Sequence, residues 1–325
     1  MDYKSNSLNI FRLIAAFQVM YGHFVYFFNV NIPDIISKAI GVYQGVPVFF
    51  GLSGFLIYFS IENSADIKDY YKKRFLRIYP EMWVAVIINV IFILCMNPQC
   101  GKKDLLSYFI AQSTIFQFWC PQSLVMYRNG TLWTICIIVQ FYIVSWLVFG
   151  LLRRTKLICD ILLFGATLAL GAIFLVVNNR MRLIDSSIFL QSMLILHLWT
   201  FIFGMLLAKY FKEVIVYLKK YWLLFLMIAV SSKLLGLDFA VGCSVVYTCA
   251  ILCSVVGCAY SIGRINITDI SYEIYLFHML IANAMIIFGY VEKIWYFLVA
   301  ILLSLVIAYI VVRIRLLLIN SHKLV

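Results

Sequence analysis

Ten stretches of this chain are long and apolar enough to cross a lipid bilayer: 8–29, 41–61, 81–97, 131–152, 157–177, 188–208, 221–237, 240–260, 270–290 and 294–317. A spanning helix needs about 20 predominantly apolar residues. Hydrocarbon offers no water to an unpaired N–H or C=O, so an apolar span must satisfy its backbone internally, as a helix does. The composition points the same way: 65% of the 325 residues are hydrophobic and 12% are charged, where a soluble domain carries about 25% charged residues. The expectation is an all-α, polytopic integral membrane protein with about ten transmembrane helices, forming a single domain over residues 1–325. The segment 105–119, "LLSYFIAQSTIFQFW", is shorter and more polar, and reads as interfacial or re-entrant. The first apolar run is too long for a signal-peptide core and has no small-residue cleavage site after it, so it reads as a retained helix.

A formal charge of +12 raises the question of nucleic acid. The cations, however, fall in short runs between apolar spans, where they set topology. With ten spans both termini share one side. Counting Lys and Arg between the spans and in their end turns, that side holds 17 and the other side holds 8, so the positive-inside rule puts both termini in the cytoplasm. The 97–130 connection then faces outward. It carries Cys100 and Cys120, whose pairing as a disulfide in an oxidising compartment is left open by the sequence. It also carries Trp119, Tyr127 and Arg128, which could touch a sugar. The other cysteines (Cys95, Cys136, Cys159, Cys243, Cys249, Cys253 and Cys258) lie in apolar runs and read as small hydrophobes. No metal-ligand spacing appears.

Inside the first span, "LNIFRLIAAFQVMYGHFVYFF", stand Arg12 and His23. Eleven positions apart, they differ by about 20° around an α-helix and by about 16 Å along it. A charge at membrane depth normally faces a bundle interior or a watery cavity. Taken singly, Arg12 could snorkel to the interface and His23 could bond a neighbouring backbone; their shared face suggests one internal cleft. After the second span comes "DYYKKRFLRIYPEMW". Arg74 and Arg77 are neighbours on a helix face there, and Pro80 is expected to end or kink that helix. This segment reads either as an amphipathic helix against anionic lipid or as a phosphate clamp. Phosphate-binding cations at the cytoplasmic mouth and a histidine about 16 Å deeper suit a molecule with a phosphorylated head and a long thin arm, the shape of coenzyme A.

Five ordered motifs resemble the membrane-bound acyltransferase-3 family over most of the chain. They are "LNIFRLIAAFQVMYGH", with Arg and His ten intervening residues apart, "GVPVFFGLSGFLI" at 45–57, "KKRFLRIYP" at 72–80, "GTLWTICIIVQFY" at 130–142 and "ISYEIYLFHM" at 270–279. The resemblance implies transfer of an acyl group, commonly acetyl, from cytoplasmic acyl-CoA through an internal channel. The acceptor would be a hydroxyl of a bacterial surface glycan such as O-antigen, at the inner membrane. It implies His23 as the catalytic residue and Arg12, Arg74 and Arg77 as acyl-CoA contacts.

Secondary candidates are Ser53, Trp133, Gln140, Tyr142, Tyr275 and His278. The family often has Glu where this chain has Gln140, and Gln can neither act as a base nor balance a charge. Gly51, Ser53 and Gly54 read as close-packing residues or as lining of a channel; Gly45 and Pro47 as a break at the start of the second span. Glu81 and Glu273 read as interfacial, His278 as hydrogen-bonded within the fold, and His197 and His322 as lying outside any constellation. The mechanism expected is general base catalysis by neutral His23; an acyl-enzyme through His23 or Ser53 is the other route. Rival functions are a transporter or flippase, for which no paired inverted halves are visible, and an inactive acyltransferase-like scaffold.

Overall fold

A computed structural model describes residues 6–181, 187–236 and 245–321. Arg182, Cys243, His322 and the first five residues of the 240–260 stretch lie outside the described residues. All regular structure among the described residues is helical. The helices are α1 (Leu8–Phe28), α2 (Asp34–Gly41), α3 (Gly45–Glu62), α4 (Ile67–Met96), α5 (Lys102–Ser113), α6 (Leu132–Leu152), α7 (Leu157–Met181), α8 (Ser187–Gln191), α9 (Leu198–Lys209), α10 (Phe211–Leu234), α11 (Val245–Ile262), α12 (Ser271–Ile287) and α13 (Ile294–Ser321).

Among the described residues, eight runs, with α2 and α3 taken together, are long and apolar enough to cross a membrane. They correspond to eight of the ten expected spans, and the protein is a multi-pass membrane protein. The other two expected spans are shorter as helices. α12 has 17 residues, about 25 Å at 1.5 Å per residue, against a hydrocarbon core of about 30 Å. The 188–208 stretch is broken into α8, a 3-10 turn at Leu194–Leu196 and the 12-residue α9.

Two further boundaries differ from expectation. α4 runs unbroken through Pro80, so the amphipathic segment and the third span are one helix. Proline withholds an N–H from the helical ladder, which removes the bond to the Leu76 carbonyl, and the helix continues past it; separately, Tyr272 donates its hydroxyl to the Ile78 carbonyl at 2.8 Å. The second span begins after a break at 42–44, and Gly45 opens α3. Its N–H, unsatisfied at a helix start, donates to Gln18 Oε1 at 2.9 Å. A Cβ at Gly45 would overlap the Ala15 carbonyl, so only glycine lets this end of α3 lie against α1.

The chain sorts into two compact units. The first holds Met1–Phe11, Val46–Arg77 and Trp133–Asn266. Within it α10 packs along α11, and α7 and α11 pack on α9. α3 and α9 meet backbone to backbone: a Cβ at Gly54 would overlap the Phe201 carbonyl, and one at Gly204 the Gly51 carbonyl. Gly51 itself is covered by the Leu252 side chain. Gly51 and Gly54 thus serve close helix packing. At the α9–α10 corner, fully buried Asp160 of α7 accepts from Tyr210 at 2.6 Å, from Thr155 at 2.5 Å and from Lys209. A charge without water is tolerated when it is paired and hydrogen-bonded in this way.

The second unit holds Arg12–Gly45, Ile78–Leu132 and Ile267–Val325. Here α12 packs on α13. Asn89 of α4 donates to Tyr127 O at 2.6 Å, and Tyr108 of α5 donates to the same carbonyl at 2.9 Å. Asn129, 3% exposed, donates its backbone N–H to Gln112 Oε1 at 2.9 Å and its side-chain amide to Leu276 O at 2.8 Å. These buried amides fasten the 97–130 connection to α4 and α12.

Candidate active site

α1 presents Arg12, Ala16, Val19 and His23 on one side, at i, i+4, i+7 and i+11. Ala16 and Val19 are buried; Arg12 and His23 are half-buried. Both polar residues meet α12. Arg12 pairs with Asp269, just before α12, and His23 Nδ1 lies 2.8 Å from His278 Nε2. The pairing order is the same along both chains, so α1 and α12 run parallel through this region. Asp269 is held by its other oxygen, Oδ1, which accepts from the Ser271 N–H at 3.1 Å and the Ser271 hydroxyl at 2.5 Å.

The two imidazoles lie nearly parallel, with centroids 5.1 Å apart and planes at 19°. His278 is fully buried. Its Nδ1 is 2.9 Å from the Ile274 carbonyl one turn earlier. Phe24 meets the His278 ring edge-on at 5.8 Å, and Tyr275 lies 6.1 Å away. Tyr275 also donates to the Thr131 carbonyl at 3.4 Å. Among the described residues nothing hydrogen-bonds to His23 Nε2.

In the first unit Arg74 donates to Ser60 Oγ at 2.8 Å and lies over the rings of Tyr142 at 5.7 Å and Tyr70 at 5.8 Å. Its buried Nε has no acceptor among the described residues. Arg77 is half-buried one turn later on α4, and Ser53 is half-buried on α3. Trp133 packs against Phe50 and His197, at 6.4 and 6.0 Å between centroids. Arg74 and Tyr142 are therefore brought together, as are His23, His278 and Tyr275. Trp133 and Gln140, seven positions apart and so on one side of α6, have different neighbours.

Gln140 donates through Nε2 to the Ser192 carbonyl at 2.7 Å and accepts at Oε1 from the Leu194 N–H at 3.1 Å. It holds the broken backbone between α8 and α9, a site that needs both a donor and an acceptor. An ionised carboxylate only accepts, so Gln suits this position where Glu would not.

Several polar residues of weight were not singled out from the sequence as partners. Asp269 is one. Arg315 is another: it pairs with Glu81, and with Glu273 at 2.9 Å. Both glutamates are buried, not interfacial as expected. The partners of Arg315 lie 234 and 42 positions away, and no local pattern links them. His197 has a neighbourhood after all, packed on Phe50 and Trp133. Among the described residues no group of His, Cys, Asp and Glu could hold a metal ion. Cys100 and Cys120 are free thiols that border one cluster with Ile93, Tyr108, Leu124 and Tyr127. Burial pushes the Cys120 thiol up to about 11, against the opposing pull of Arg128.

A family model described as an acyltransferase domain matches residues 5–313. The chain belongs to the acyltransferase-3 family. Among curated proteins, this acyltransferase-3 chain is 26% identical to nodulation protein 10 of Rhizobium leguminosarum bv. viciae, covering 90% of this chain and 87% of that protein. It is 27% identical to an O-acetyl transferase of Shigella phage Sf6, covering 85% of this chain and 84% of that protein. No solved structure matches. In the second unit, the geometry offers an imidazole with one nitrogen that no described residue hydrogen-bonds, on the helix that also bears Arg12.

Proposed function

We propose that the protein is an O-acyltransferase that moves an acyl group, acetyl in the first place, from cytoplasmic acyl-CoA to a hydroxyl of a bacterial surface polysaccharide such as O-antigen. The observation that carries the reading is the His23 ring. One nitrogen is engaged by His278 and the other has no hydrogen-bond partner among the described residues, on the helix whose first turns bear Arg12. Family membership and the printed name of the phage Sf6 relative support the reaction class.

In this reading neutral His23 takes the proton of the acceptor hydroxyl as its oxygen attacks the thioester carbonyl. The C–O bond forms, the C–S bond breaks, and the proton passes from the imidazolium to the departing thiolate. A positioned base contributes about 10²–10⁴-fold. Arg74 and Arg77, one turn apart on α4, are the proposed contacts for the phosphorylated head of the donor, since guanidinium donors match phosphate oxygens, and Arg12 is carried over as a donor contact from the family motif alone. The unpartnered Arg74 Nε is one donor an incoming oxygen would satisfy. The distance of about 16 Å along α1 from Arg12 to His23 suits the arm between that head and the thioester, which would lie in an internal channel. In this reading the enzyme sits in the bacterial inner membrane with both termini in the cytoplasm, an orientation the excess of Lys and Arg on the terminal side supports.

The test pairs His23→Ala with His23→Gln in a deletion host, each checked for normal membrane abundance, with glycan-bound acetyl read by NMR. Wild type restores the ester and both variants lose it by at least about 10²-fold. Full activity in either variant removes His23 from the mechanism. A wild type that adds no acyl group removes the acceptor or the reaction class.

A further inference from the structure

We propose that His278 is a positioning residue that locks His23 in a single tautomer, with its proton on Nδ1 and its lone pair on Nε2. The inference rests on the reading of His23 as the base. It follows from the hydrogen-bond chain alone. A backbone carbonyl only accepts, so His278 Nδ1, 2.9 Å from Ile274 O, carries a hydrogen. In an uncharged ring the other nitrogen then holds a lone pair. That nitrogen, Nε2, lies 2.8 Å from His23 Nδ1, so His23 donates from Nδ1. The lone pair of His23 is thereby assigned to Nε2, the nitrogen to which no described residue hydrogen-bonds.

The carbonyl at the end of the chain belongs to α12 itself, one turn before His278. Its position is fixed by helix geometry rather than by a mobile side chain. Phe24 and Tyr275 flank the buried His278 ring and oppose its rotation. An imidazole left to itself would divide its neutral population between two tautomers, and only one has the base on the open side. The arrangement parallels the use of a fixed acceptor to orient a catalytic histidine through its second nitrogen, with a second histidine relaying a backbone carbonyl instead of a carboxylate. No proton crosses the relay during turnover; His278 acts through His23 and touches no substrate.

Two measurements test this. Histidine labelled with ¹⁵N in lipid nanodiscs, with the His23 signals assigned by their loss in His23→Gln, reports the tautomer of the wild type directly. The expected result is a protonated Nδ1 and a bare Nε2. In parallel, His278→Leu keeps bulk but removes the acceptor, and His278→Gln places an amide oxygen near the Nε2 position. His278→Leu is expected to lower kcat about 10²–10⁴-fold with the KM for acyl-CoA unchanged, and His278→Gln to recover at least tenfold of that. A wild-type His23 protonated on Nε2 overturns the inference, as does a His278→Leu enzyme that turns over like wild type. If wild type transfers no acyl group, the proposed function fails, and the ¹⁵N spectrum still upholds or overturns the relay by itself.

Discussion

At the scale of single residues, Asp269 divides one carboxylate between two tasks. Oδ1 closes a turn onto Ser271 at the head of α12, and Oδ2 meets Arg12. Asn at this position keeps the Oδ1 acceptor and removes the charge, which isolates the ion pair. A hydrogen bond to a charged group is worth about 1.5–3 kcal/mol. Asp269→Asn is therefore expected to raise the KM for acyl-CoA about tenfold, through a less well-held Arg12, while kcat changes by less than about threefold. Initial rates against acyl-CoA in reconstituted vesicles separate the two, and an unchanged KM shows that Arg12 is placed by something else. The sequence showed Arg12 and His23 because a cation and an imidazole are rare inside an apolar run. It did not show Asp269, which sits in a polar connection where an aspartate is ordinary. Nor did it show that Glu81 and Glu273 share Arg315, since that choice is made by helix packing between distant segments.

At the scale of elements, the α3–α9 crossing and the broken 188–208 stretch carry the argument. Glycines let two backbones touch, and the membrane rewards such contact through dispersion rather than hydrophobic burial. Gly54→Ala is expected to cost about 1–3 kcal/mol, because backbone rather than a flexible side chain must yield. Gly150→Ala, in α6 with open space around it, is expected to be neutral or to stabilise by up to about 1 kcal/mol. Thermal unfolding of the two purified variants in one detergent compares them directly; equal midpoints contradict the crossing. The run of apolar residues in 188–208 read as a continuous span because hydropathy counts side chains. The break depends on Gln140, some fifty positions earlier, supplying a donor and an acceptor to backbone that has left the helix. Irregular backbone at membrane depth persists where protein satisfies it, and that help is invisible to a local window. At Pro80, too, the helix continues against a local rule.

At the scale of the whole molecule, the positive-inside count makes a claim about sidedness that the thiols can check. In variants retaining only Cys100 or only Cys120, a membrane-impermeant maleimide added to intact spheroplasts is expected to label from outside. The thiolate is the reactive form, and with the Cys120 thiol raised to about 11 by burial, its labelling rate should rise about tenfold per pH unit through the range 7 to 9. Labelling only in inverted vesicles reverses the assigned orientation. Eight of the ten expected spans are long apolar helices among the described residues, because length and hydropathy are properties of a segment; which helices touch is not. The glycines at 54 and 204 have a use beyond their own contact. In chains diverged to 26% identity, helices built of interchangeable Leu, Ile and Phe slide past one another in an alignment with little penalty. Two positions that exclude every side chain act as fiducial marks: any superposition of a distant relative that sets larger residues at both is out of register, and the error can be detected before a structure of that relative exists.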